Sequence, residues 1–173
     1  MTQSDIVEIP QPLGLFAGDL FNRAQEYLSA FEYLTERGNE RKFPYASFFL
    51  LAHAIELLLK SYLAAKGVPK KELKSKFSHK LCLARDECER LLVPDVPELK
   101  LLIERLNDMN EDYDFRYPSG YVMQFPPVDH SLKIAKDFSH AIRGTIEVAH
   151  NKAEIQLASD MRHHQGKQVQ WSD

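Results

Sequence analysis

The segment YASFFLLAHAIELLLKSYLAAKG (45–67) constrains the fold more than any other part of the chain. Wound at ~100° per residue, it spreads Phe48, Leu50, Leu51, Ile55, Leu57, Leu58, Leu59 and Tyr62 over most of a helix circumference, with Ser47 and Ser61 as small polar exceptions. A helix that is apolar nearly all round needs several neighbours to cover it, so it belongs in the middle of a domain. Pro44 suits its first turn, and Gly67 followed by Pro69 ends it.

Three ionisable side chains interrupt this apolar surface on one narrow arc. With Glu56 at zero, Lys60 falls at about +40° and His53 at about +60°. Two accounts fit. The arc is an exposed strip, with Glu56 and Lys60 forming an i, i+4 pair worth ~0.3–0.5 kcal/mol. Alternatively it faces a cleft or interface, where the charges need partners because desolvating them alone is costly. Candidate partners are His79, ahead of the next long helix, and Arg116 and Tyr117 in the loop DFRYPSGYVMQFPPV. Arg116 is the natural mate for Glu56, since a guanidinium grips a carboxylate through two parallel hydrogen bonds. His53, Glu56, Lys60, His79, Arg116 and Tyr117 thus form a candidate ligand-binding or buried polar cluster.

The remaining chain also reads as helix. Asp19 is placed to cap a first helix bearing Leu20, Ala24, Tyr27, Leu28, Phe31 and Leu34 on one face, stopping near Gly38-Asn39. A basic linker, KKELKSK, leads to a third helix over Ser78–Leu92, with Ser78 as its candidate cap. A fourth covers 97–112, with Leu99, Leu102, Ile103, Leu106, Met109 and Tyr113 on its stripe. Asp129 caps the last, over 130–157, which turns Leu132, Ala135, Phe138, Ile142, Thr145 and Ala149 inward. Strand-like alternation is confined to Tyr121–Phe125. The expected architecture is all-α, an antiparallel bundle of about five helices. Residues 1–18 are expected as an irregular N-terminal arm, 19–158 as one helical-bundle domain, and 159–173 as a polar, flexible tail.

Composition narrows the function classes. The 173 residues, 44% hydrophobic and 27% charged, exclude collagen-like, disulfide-scaffold and wholly disordered chains. A net charge of −3 gives no global positive field for nucleic acid or anionic lipid. No uninterrupted apolar run reaches the ~18 residues that span a bilayer, and the N-terminus lacks a leader pattern, so the expectation is a cytoplasmic protein without a membrane partner. Cys82 and Cys88 lie six residues apart on one helix, about 9 Å between Cα atoms, too far for a disulfide; they read as small apolar side chains. The sequence offers no phosphate loop, nucleophile elbow or zinc-protease motif and implies neither cofactor nor metal; His163-His164 reads as exposed tail. The acidic run NDMNEDYD (107–114) reads as a solvated helix end. Lys70, Lys71, Lys74, Lys76 and Lys80 form the one local positive patch, either a solvated loop or a contact for phosphates.

The order of three segments, HAIELLLKSYLAAKG (53–67), FSHKLCLARDEC (77–88) and FRYPSGY (115–121), resembles the HEPN superfamily (higher eukaryotes and prokaryotes nucleotide-binding). Members carry an E-x-x-L-K-A-Y-L-like helix ending in glycine, matched here by Glu56, Lys60, Tyr62, Leu63 and Gly67. A following His-Asp-Leu is matched by His79 and Leu81, with Lys80 departing from the usual acid, and an Arg-Tyr-Pro by Arg116, Tyr117 and Pro118.

The resemblance implies an antiparallel helical bundle, often a homodimer. It also implies one of three functions: a non-catalytic module binding a nucleotide, RNA or a partner such as a nucleotidyltransferase antitoxin; a metal-independent ribonuclease acting as toxin or in defence; or a structural homodimer without ligand. Ribonucleases of the family carry an arginine and a histidine with four to six residues between them, the histidine as acid–base and the arginine stabilising the transition state. Arg143 and His150 in RGTIEVAH match that spacing, with Gly144 departing from the polar residue that usually follows the arginine. On the residues alone the same pair also reads as a solvated helix face. The expectation is the non-catalytic binding module, with the ribonuclease and the structural homodimer as alternatives.

Overall fold

The computed structural model of the chain describes residues 6–36, 42–111, 115, 123–164 and 168–172. Its elements are β1 (Ile6–Pro10), α1 (Leu13–Leu34), α2 (Pro44–Ala65), α3 (Lys70–Ser75), α4 (Leu81–Arg90), α5 (Leu99–Glu111), α6 (Val128–Asp160), a 3-10 turn (Met161–His164) and β2 (Gln168–Ser172). The fold is all-α in its body, with six helices among the described residues.

The apolar helix is the axis. Leu51, Ile55, Leu58 and Leu63 of α2 are wholly buried, under α1, α4, α5 and α6. Pro44 takes the first helical position. At the other end Gly67 adopts φ +97°. Its N–H donates to the Ala64 carbonyl, and the Val68 N–H donates to that of Leu63, both at 3.0 Å; this closes the helix in a Schellman turn. By length and composition α2 could cross a membrane, but most of it is buried by its neighbours.

Contacts fix the directions of the outer helices. Tyr27 meets His53 and Phe31 meets Phe48, so α1 runs antiparallel to α2. Gln25 donates to Ser139 at 2.8 Å and Lys136 to Glu32 at 2.7 Å, so α6 is antiparallel to α1. The short α3 lets the chain double back. Glu56 then meets His79 just before α4, while the Tyr62 hydroxyl donates to the Leu91 carbonyl just after it, at 2.9 Å.

The ends differ from expectation. Residues 1–18 were expected to be irregular, but β1 forms over Ile6–Pro10 and α1 begins at Leu13, leaving Asp19 inside the helix rather than capping it. Gly14 and Gly18 hide this first turn and a half, because glycine weakens a helical pattern by about 1 kcal/mol per residue. Packing explains them: a Cβ on Gly14 would lie 2.1 Å from the Ala149 carbonyl oxygen. The expected tail instead continues α6 to Asp160 and ends in β2, which pairs parallel with β1 from Ile6↔Gln168 to Pro10↔Ser172. α4 starts at Leu81 without Ser78 as its cap, and Asp129 sits in the first turn of α6 behind Pro127. No strand forms over the described part of Tyr121–Phe125.

Candidate functional site

Glu56 is buried, 4% exposed, on the one polar arc of α2. The Lys60 ammonium lies 2.6 Å from its Oε1, one turn along the same helix. His79 Nδ1 lies 3.1 Å from Oε2. His53 Nδ1 is 3.9 Å from Oε2, beyond ordinary hydrogen-bond distance but with its ring nitrogen facing the carboxylate. Burial alone would raise the Glu56 carboxyl. The His53 ring, the Lys60 ammonium and the His79 ring outweigh it and hold the group at about 2. Glu56 is therefore an ionised acceptor at neutral pH and a weak base. An ionised carboxylate only accepts, so in this pair His79 Nδ1–H donates to Glu56 Oε2 and the ring's orientation is set by that contact.

The two rings are positioned from opposite sides. His53 is held against the edge of Tyr27, ring centres 4.6 Å apart, and lies parallel to Phe49. His79 adopts φ +51°, in the left-handed region that costs a non-glycine residue about 1 kcal/mol. That backbone turns its imidazole toward Glu56 while leaving 38% of the side chain exposed. The structure thus joins His53, Glu56, Lys60 and His79. Arg116 and Tyr117, the other two members expected, lie outside the described residues, as does the proposed Arg116–Glu56 pair.

Arg143 and His150 share one side of α6, turned toward α1. The Arg143 guanidinium lies over the Phe21 ring at 5.1 Å and 3.9 Å from Glu147. His150 Nε2 is 3.3 Å from Glu154. Its Nδ1 is buried without a hydrogen-bond partner among the described residues, against Gly18, where a Cβ would come within 2.5 Å.

A family model described as HEPN domain matches residues 17–150, from the first turns of α1 to His150 itself. The chain belongs to the HEPN family. Neither the curated proteins nor the solved structures contain a match to it. The HEPN match spans both the cluster on α2 and the pair on α6.

Two features of this HEPN domain escape the sequence reading. Gly18 and Phe21 set His150 and Arg143 in place; the i, i+4 spacing of Gly14 and Gly18 is the signal that could have shown a close helix approach. Arg85, 9% exposed, pins α4 to α5 by reaching Glu104 at 3.2 Å while holding Asp86 at 2.6 Å. Nothing in its local pattern marks it as buried. Cys88 is a buried thiol whose pKa burial pushes up, and Cys82 is half-buried. His163 and His164 lie in the 3-10 turn, their side chains outside the described set.

Proposed function

We propose that this HEPN domain is a non-catalytic binding module that takes a nucleotide, RNA or a protein partner at the surface edge of the His53–Glu56–Lys60–His79 cluster. One observation carries the reading: a buried carboxylate, kept ionised, is spent on orienting an imidazole that remains over a third exposed. The strained φ of His79 supports it, because such strain persists where surrounding structure holds a side chain for a purpose. The test is a titration of the full chain with nucleoside phosphates and short RNAs, comparing wild type with His79→Ala and Arg116→Ala. Wild type should bind, and His79→Ala should weaken binding about tenfold, or 1.4 kcal/mol. A wild type that binds neither overturns the nucleotide and RNA reading.

A ribonuclease using Arg143 and His150 is the second reading, favoured by their common face on α6 and by the burial of Nδ1, which leaves Nε2 as the outer nitrogen. Against it, each of the two side chains has a carboxylate of its own helix beside it, Glu147 and Glu154, and those charges repel a phosphate. An RNA cleavage assay decides: equal activity of wild type and His150→Ala removes the assignment.

A further inference from the structure

Between the start of α1, the end of α2 and the outer side of α6 lies an open groove of about 800 Å3, away from the Glu56 cluster. Along α6 it runs from Gly144 to Gln156, some 18 Å at 1.5 Å per residue, which is more than three helical turns. Its walls are mostly small or apolar. Gly14 and Ala149 touch at its floor, and Ala64 closes one side. Val148 stands in it 71% exposed, and one heptad further along α6, Ile155 is equally bare. Among the described residues, the charged ones lining the groove are Lys66 and Lys152 and no carboxylate lines it, although the chain has more acids than bases.

We propose that this groove receives an amphipathic helix of a partner protein, with an apolar stripe flanked by Asp and Glu. The length suits a helix laid along it, whose apolar anchors recur at i, i+3, i+4 and i+7. Small side chains on the floor let a second backbone approach closely. Lysines on two walls without a competing carboxylate select acidic flanks. A compact small molecule fits less well, since such ligands need most of their surface enclosed and this trough is open. The inference is independent of the reading at Glu56, which uses other residues.

The experiment measures fluorescence anisotropy of a labelled synthetic helix about five turns long, with Leu at the anchor positions and Glu on both flanks, against the full chain. A second peptide carries Lys in place of Glu. Two variants obstruct the site: Gly144→Trp, where an added Cβ meets open space, and the charge reversal Lys66→Glu with Lys152→Glu, both on exposed side chains. The Glu peptide should bind wild type at least about tenfold more tightly than the Lys peptide, Gly144→Trp should abolish that gain, and the charge reversal should invert the preference. Absence of binding, equal binding of both peptides, or an unaltered preference in the charge-reversed chain overturns the proposal. If sedimentation instead shows Gly144→Trp dissociating a dimer, a second copy occupies the groove and the partner helix is overturned.

Discussion

His79 Nδ1 sits 3.1 Å from Glu56 Oε2 across 23 residues of chain. This contact, with the Lys60 pair, saturates both oxygens of a carboxylate that would otherwise be costly to bury. The order of forces follows from the geometry. Burial pushes the carboxyl up, three nitrogens pull it down to about 2, and the nitrogens win.

That outcome predicts an acid-sensitive bundle. Folding lowers the Glu56 pKa from 4.5 to about 2, so its contribution to stability is complete above pH 4.5 and drains away as pH falls toward 2. The size is on the order of 3 kcal/mol, from about 1.4 kcal/mol per pKa unit. Glu56→Gln should therefore be less stable than wild type near neutral pH by an amount of that order. Urea melts at pH 6 and pH 3 check both parts: wild type should lose stability steeply between them, and the variant much less.

The α1–α6 contact predicts a steric effect on the second candidate site. A Cβ at Gly18 would lie 2.5 Å from His150 Nδ1, so Gly18→Ala must displace the imidazole. At Gly14 the obstacle is the Ala149 carbonyl, which cannot swing aside. Gly14→Ala should thus destabilise more than Gly18→Ala, each within about 1–3 kcal/mol for overpacking. Gly18→Ala should also move the His150 ring signals in an NMR spectrum; unchanged signals would mean that the ring does not rest on α1.

Two other glycines should respond with opposite signs. Gly67 closes α2 at φ +97°, a conformation that strains any side chain, so Gly67→Ala should cost about 1 kcal/mol. Gly144 lies inside α6 with open space where a Cβ would go, so Gly144→Ala should stabilise by about 0.5–1 kcal/mol through helix propensity alone. Thermal melts of the two variants should move apart from wild type in opposite directions.

How far the sequence could be read depends on the range of each cause. The apolar circumference of α2 is a local property, and so are its Pro44 start and Gly67 stop; all three are found as expected. The Glu56–Lys60 pair is equally local, at one turn's separation. His79 was reachable through the resemblance and through its chemistry, but its left-handed backbone was not, because nothing in SHK demands it. The first turns of α1 went unread since Gly14 and Gly18 lower helical propensity and regain it only through contact with α6, far along the chain. β1 and β2 were invisible for the same reason: each is a five-residue strand that exists by pairing with the other end of the chain.

His79 allows its backbone role to be separated from its side-chain role. Asparagine tolerates the left-handed region far better than alanine does, because its short amide hydrogen-bonds locally. His79→Asn and His79→Ala both remove the imidazole that faces Glu56, but only the alanine variant also bears the full strain of φ +51°. Stability measured by urea melts should fall in the order wild type, Asn, Ala, the last two differing by about 1 kcal/mol. Nucleotide or RNA affinity should fall equally in both if the imidazole is the recognising group. Affinity that instead tracks the stability series would assign His79 to holding the α3–α4 connection, and the ligand would have to be sought at another edge of the cluster.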